Sequence, residues 1–145
     1  MTNNLISSNL RQLVIERAQG RCEYCLIHQD FSIYSHEIDH IIAVKHGGET
    51  LSENLALSFL PCNRHKGSDF ATFDPKNGEI IRLFHPRLQI WQEHFTVKDA
   101  EIIGITSIGE ATSRLLMFNT SSRVRFLRSA SLSRQLLITQ KLYHL

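Results

Sequence analysis

No apolar run in the chain approaches the roughly 18 to 20 residues that a membrane-crossing helix needs. The start MTNNLISSNL lacks the basic and apolar regions of a signal peptide, so the expected location is cytoplasmic. Cysteine is scarce. Three thiols, Cys22, Cys25 and Cys62, are an odd number and too few for a disulfide framework, which leaves metal ligation or free thiols. Acidic residues are absent from the last 35 positions, and the sequence shows neither an internal repeat nor a low-complexity segment.

What is present is an ordinary globular composition. The 145 residues suit one domain with a sizeable core, and 42% hydrophobic with 21% charged residues places the chain in the ordinary soluble globular class. The net charge of +2 conceals a division: residues 1–110 carry 10 Lys and Arg against 14 Asp and Glu, whereas residues 111–145 carry 6 basic and no acidic residues. A basic tail on a mildly acidic body points to a polyanionic partner, with a solvated basic helix as the alternative. The tail residues are Arg114, Arg123, Arg125, Arg128, Arg134 and Lys141.

The pattern predicts an amphipathic helix over 9–20, with Leu10, Leu13, Val14 and Ala18 on one face, Ser8 or Asn9 as cap and Gly20 as stop. Cys22-Glu-Tyr-Cys25 follows on a tight turn. Strands are expected at 31–34 and 37–44, then a Gly47-Gly48 loop, an apolar run over 54–59, and a helix with Pro61 in its first turn and Cys62 to Lys66 along it. Asp74-Pro-Lys-Asn-Gly78 marks a turn into a strand at 79–84. Further strands are expected at 91–97 and 101–106, and helices over 108–118 and from 121 to about 143. Phe84, Trp91 and Phe95 read as core.

The chemistry is concentrated between His36 and Gly67. A histidine beside a carboxylate can act as a general base near neutral pH, and Asp39-His40 offers that pair at a strand end. Alone the dipeptide is a weak signal, because neighbours on a strand face opposite ways. Asn54 and Asn63, 14 and 23 residues after His40, strengthen it. A hairpin packed on the helix carrying Asn63 would bring two hard oxygen donors, Asp39 and Asn63, beside an imidazole, a set suited to a Mg²⁺-type ion.

The elements His36-Glu-Ile-Asp39-His40, Gly47-Gly48, Asn54-Leu-Ala-Leu and Cys62-Asn63-x-x-Lys66-Gly67 together resemble the HNH endonuclease family. The resemblance implies an α+β fold: a ββα-metal core preceded by a helix in residues 1–70, and a strand-then-helix extension with a basic tail in 71–145, packed with the core as one domain. It implies Asp39 and Asn63 as ligands of Mg²⁺ or another divalent cation, His40 as general base and Asn54 as the residue orienting the base and its loop. The implied activity is hydrolysis of phosphodiester bonds in DNA, with double-stranded DNA as the expected partner. Arg64, Lys66, Arg123, Arg125 and Arg128 are the expected nucleic-acid contacts. The alternative is an inactive nucleic-acid-binding or interaction module on the same scaffold.

Many members of that family hold a structural Zn²⁺ with two Cys-x-x-Cys pairs. Here Cys22, Cys25 and Cys62 fill three places, but Phe59 stands where the fourth cysteine would be. A closed site normally has four ligands, and His65, one helical turn after Cys62, is the nearest substitute, with His28 another. Otherwise Phe59 fills the space and the thiols are small buried hydrophobes. A redox role for Cys22-x-x-Cys25 is disfavoured, since the motif follows a helix rather than opening one.

Overall fold

The structure is a computed structural model and describes residues 5–128. Its first helix, α1 (Ser8–Arg17), is capped by Ser7, whose side chain accepts from the Leu10 amide at 3.2 Å. The cap therefore precedes the expected Ser8 or Asn9. Val14 is buried, and Ile6, Leu10, Ile15 and Ala18 pack with it against Leu55 and Leu57. Leu13 is 46% exposed and lies off that face, because the stripe runs through positions 6, 10, 14 and 18 at the helical repeat.

The central unit is a hairpin and a helix. Strand β1 (Glu37–His40) pairs antiparallel with β2 (Leu55–Ser58), setting Asp39 opposite Ala56 and His40 opposite Leu55. The expected strand to Val44 stops at His40 because the Asn54 side chain takes both backbone groups of Ile42, and Val44–His46 turns as a 3₁₀ helix. No strand forms at 31–34 either. Gln29–Phe31 is a 3₁₀ turn and Ser32 makes an isolated bridge with Leu127, so β-propensity there is overridden by docking against the later chain. Helix α2 (Leu60–Lys66) follows β2 directly, with Pro61 in its first turn, where a missing amide proton costs nothing.

The remainder builds two small hairpins and a helix. β3 (Ala71–Phe73) pairs with β4 (Ile80–Arg82) across a loop closed by the Gly78 amide on the Asp74 carbonyl, 2.8 Å. Trp91–His94 forms a single helical turn, α3, where a strand was expected. It leads into β5 (Phe95–Lys98), which pairs with β6 (Glu101–Gly104), and then α4 (Ser107–Leu115). The long helix expected from Ser121 is instead a 3₁₀ segment, Ser121–Phe126. Its expected continuation, with Arg134 and Lys141, lies outside the described residues.

One apolar core joins both parts of the chain. Cys22, Tyr24, Cys25, Phe59 and Cys62 pack in the same cluster as Phe84, Trp91, Phe95, Phe118 and Leu127. Trp91 stacks on Phe95 at 5.0 Å between ring centroids and donates from its indole nitrogen to the Tyr24 carbonyl, 2.9 Å. Each fully buried aromatic side chain contributes about 1.5–3 kcal/mol. These later aromatics therefore hold the Cys22–Cys25 turn in place. No helix among the described residues is long and apolar enough to cross a membrane.

Candidate active site

β1 presents Asp39 to the interior and His40 to the half-buried side, as strand alternation requires. The two come together with Asn63 at one open groove of about 260 Å³, lined also by Val44, Gly67 and Ser68. α2 runs close to β1, and this brings Asn63 from the helix to the strand.

His40 is fixed from the loop. Its Nε2 lies 2.9 Å from the Thr50 hydroxyl, leaving Nδ1 without a hydrogen bond among the described residues. Thr50 was not identified from sequence, since a threonine in a polar loop carries no periodic or motif signal. Asn54 clamps the same loop: its amide oxygen accepts from the Ile42 amide at 2.9 Å, and its amide nitrogen donates to the Ile42 and Glu49 carbonyls, each 2.9 Å. A Cβ on Gly48 would fall 1.7 Å from the Ile42 carbonyl oxygen, so only glycine admits this close approach. Gly47, at φ +90°, supplies the left-handed turn before it.

Asp39 is 5% exposed and fully engaged. The Tyr24 hydroxyl donates to Oδ2 at 2.8 Å, and the Lys66 ammonium lies 3.1 Å from Oδ2 and 3.3 Å from Oδ1. Lys66 also donates to the His40 carbonyl, 3.2 Å. Burial pushes the Asp39 carboxyl above its ordinary value, opposed by the Lys66 charge and the Tyr24 hydroxyl. Burial likewise raises the Tyr24 phenol well above its ordinary value, with Asp39 adding to it. Lys66 is 2% exposed and lies inside the fold, not at the surface where a phosphate contact was expected. Its place on the inner side of α2 turns it onto Asp39.

Asn63 donates from its amide nitrogen to Glu37 Oε2, 3.3 Å, which leaves its amide oxygen as the free end. Glu37 sits two residues before Asp39 and so shares its side of β1. It was missed as a site residue, although its position in Glu-x-Asp-His was readable. The donors at this groove, the Asp39 carboxylate and the Asn63 amide oxygen, are of the hard type that a Mg²⁺-like ion takes, and by type they fit one.

The three thiols form a second centre behind Asp39. Cys22, Cys25 and Cys62 are fully buried with their sulfurs within 4.8 Å of one another, a spacing at which they could hold a metal ion. Among the described residues this is the one group of three or more His, Cys, Asp or Glu side chains so close. His65 is exposed on α2 and outside the group, and His28 is outside it as well, so neither expected substitute completes a fourth ligand. Phe59 is fully buried, with the His36 ring edge-on at 5.6 Å. Burial pushes Cys22 up to about 12 and Cys62 well above the ordinary thiol value. At Cys25 burial acts the same way, but hydrogen bonds from the other two thiols and the charge of Arg123 outweigh it and bring this thiol well below its ordinary value.

Arg123 is the largest departure from the expected surface. It is 4% exposed, with its guanidinium 3.3 Å from Cys62 Sγ and against the rings of Phe59 and Phe118. Its side chain is turned inward, away from the surface where a nucleic-acid contact was expected. Arg64, Arg125 and Arg128 are exposed, with Arg64 and Arg125 lying over the Phe126 ring at 5.9 and 5.2 Å.

Residues 22–69 match the family model of the HNH endonuclease. A search of curated proteins finds no match to the chain. The matched segment opens on the first thiol of the triad and closes just beyond α2, so Tyr24, Asp39, His40, Asn54, Asn63 and Lys66 all lie inside it. Arg123 and α1 lie outside. The match supports a nuclease-type function, and with it action on nucleic acid.

Within the matched segment His36 carries a stability prediction. Its Nε2 donates to the Ile27 carbonyl at 2.7 Å, while buried Nδ1 has no partner among the described residues. Burial lowers its pKa from the ordinary 6.5. A histidine held neutral in the fold takes up its proton more readily once unfolded, so stability is present above pH 6.5 and is lost as pH falls through the folded value. Melting temperature is expected to decline from pH 7 toward pH 5, and the decline to flatten in His36→Gln. An equal slope in both proteins would remove His36 as the cause.

Proposed function

We propose that the chain is a metal-dependent endonuclease that hydrolyses DNA phosphodiester bonds, with His40 as general base. The observation that carries this reading is the single groove lined by Asp39, His40 and Asn63. Asp39 and Asn63 would hold a divalent cation, whose chemistry when bound is to stabilise negative charge developing on the phosphate. His40 acts through Nδ1, the nitrogen that Thr50 leaves free, by taking a proton from water at the groove. Thr50 holds the imidazole, and Asn54 holds the loop that carries Thr50. Tyr24 and Lys66 keep the Asp39 carboxylate in one orientation. Exposed Arg64, Arg125 and Arg128 form the proposed electrostatic footprint for duplex DNA, where contacts to phosphate would hold the duplex without reading its sequence.

A second reading has an observation of its own. Both oxygens of Asp39 already face the Lys66 ammonium, and Asn63 is already bonded to Glu37. Such a site, closed by its own side chains, suits a binding module without turnover. Supercoiled plasmid incubated with Mg²⁺ separates the two. Conversion to the nicked form that stops with EDTA is the expected result, and DNA retention in a gel without any nicking would favour the module.

A further inference from the structure

The cysteine triad lacks what a structural ion requires. Zinc in such a knuckle is closed by four ligands. Here there are three thiols, the fourth place is taken by the Phe59 ring, and no histidine or carboxylate joins them among the described residues. A cationic group is nevertheless at the triad, and it comes from a distant part of the chain. Arg123 lies 61 residues beyond Cys62 and places Nη2 3.3 Å from its sulfur, which lies within 4.8 Å of the other two. Its guanidinium lies 5.1 Å from the Phe59 centroid and 5.7 Å from that of Phe118, and Nη1 donates to the Phe118 carbonyl.

We propose that Arg123 takes the place of the structural metal ion in this knuckle, so that the chain folds without zinc. The guanidinium does by charge and hydrogen bonding what the ion would do by coordination. It neutralises negative charge among clustered sulfurs and ties the Cys22–Cys25 turn and α2 to a third segment. Its planar shape fits between two aromatic faces, which attract it through their quadrupoles. The substitution of Phe59 for a fourth cysteine is then one half of an exchange: the ring that removes the ligand supplies the face on which the arginine stacks. A divalent ion at the same buried thiols would lie beside a buried cation, so the two are mutually exclusive occupants. The inference stands whether or not the chain cleaves DNA.

The test uses the full chain produced in zinc-supplemented medium and dialysed. Elemental analysis is expected to show far less than one zinc per chain, and the melting temperature to be the same with and without chelator. Arg123→Met, which keeps the length and loses the charge, is expected to melt roughly 10 °C lower. The double variant Phe59→Cys with Arg123→Ala rebuilds four thiols without the cation, and it is expected to retain one zinc per chain and become chelator-sensitive. One zinc per chain in the dialysed parent, with a melting temperature that falls in chelator, would overturn the proposal. So would an Arg123→Met protein that melts with the parent.

Discussion

Replacing His40 with alanine is expected to slow plasmid nicking in Mg²⁺ by roughly 10²- to 10⁴-fold, the range over which a positioned base contributes to a proton transfer. The fold should barely notice. His40 is half-buried and gives up one hydrogen bond, to Thr50, a loss of about 1 kcal/mol and so a few degrees in melting temperature for a chain of this size. The combination is diagnostic, because a general collapse of the site would lower both together. Thr50→Val should fall between parent and His40→Ala, since the imidazole remains but loses its tether. Undiminished nicking by the alanine protein would dismiss His40 as the base and direct attention to another groove residue.

Lys66→Met should be the most destabilising single change at the site. Removing one partner of a buried pair leaves the other charge without compensation, a loss of about 3–5 kcal/mol. The sign of its pH dependence follows from Asp39. Its folded carboxyl already titrates above the ordinary value because of burial, and without the ammonium it would move further up. A carboxyl so raised stabilises the fold while protonated and loses that contribution as pH rises through its folded value. The Lys66→Met deficit in urea unfolding should therefore be smaller near pH 5 than near pH 8. Asp39→Asn in the same chain should recover much of the loss, because an amide needs no counter-charge. A deficit that is independent of pH and unrelieved by Asp39→Asn would mean that Lys66 acts through packing of its methylene stem.

The hairpin-and-helix centre was legible because its signals are local. The strand through Asp39-His40, the Gly47-Gly48 turn and Pro61 at a helix start each follow from the conformational limits of a few neighbouring residues, although the strand's end at His40 is set by the distant Asn54 side chain. The site residues that were misplaced are those whose role is set across the fold. Lys66 and Arg123 are basic residues on segments that read as exposed, and both are buried because an anionic or polarisable partner meets them from elsewhere: Asp39 in one case, the Cys62 sulfur in the other. Nothing in the spacing of either residue discloses that partner. The helical turn at Trp91–His94 was hidden for the same reason, since an aromatic-rich run favours a strand until the indole is committed to Tyr24. Tyr24 carries no signal of its own between the two cysteines, yet its hydroxyl links the thiol turn to the Asp39 carboxylate.

The separation of 61 residues between Cys62 and Arg123 sets an order of events as the chain is made. Synthesis delivers the amino-terminal part first, at about 5–20 residues per second. A knuckle completed by an ion can close as soon as its own ligands have emerged. This one waits several seconds more for its arginine, together with the Phe118 ring on which that arginine rests. During that interval the three sulfurs are open to stray metals and oxidants, so the yield of native protein should depend on how quickly the distal segment arrives. Lengthening that interval should then lower the recovery of native protein under oxidising conditions, and a thiol reductant present during synthesis should restore it.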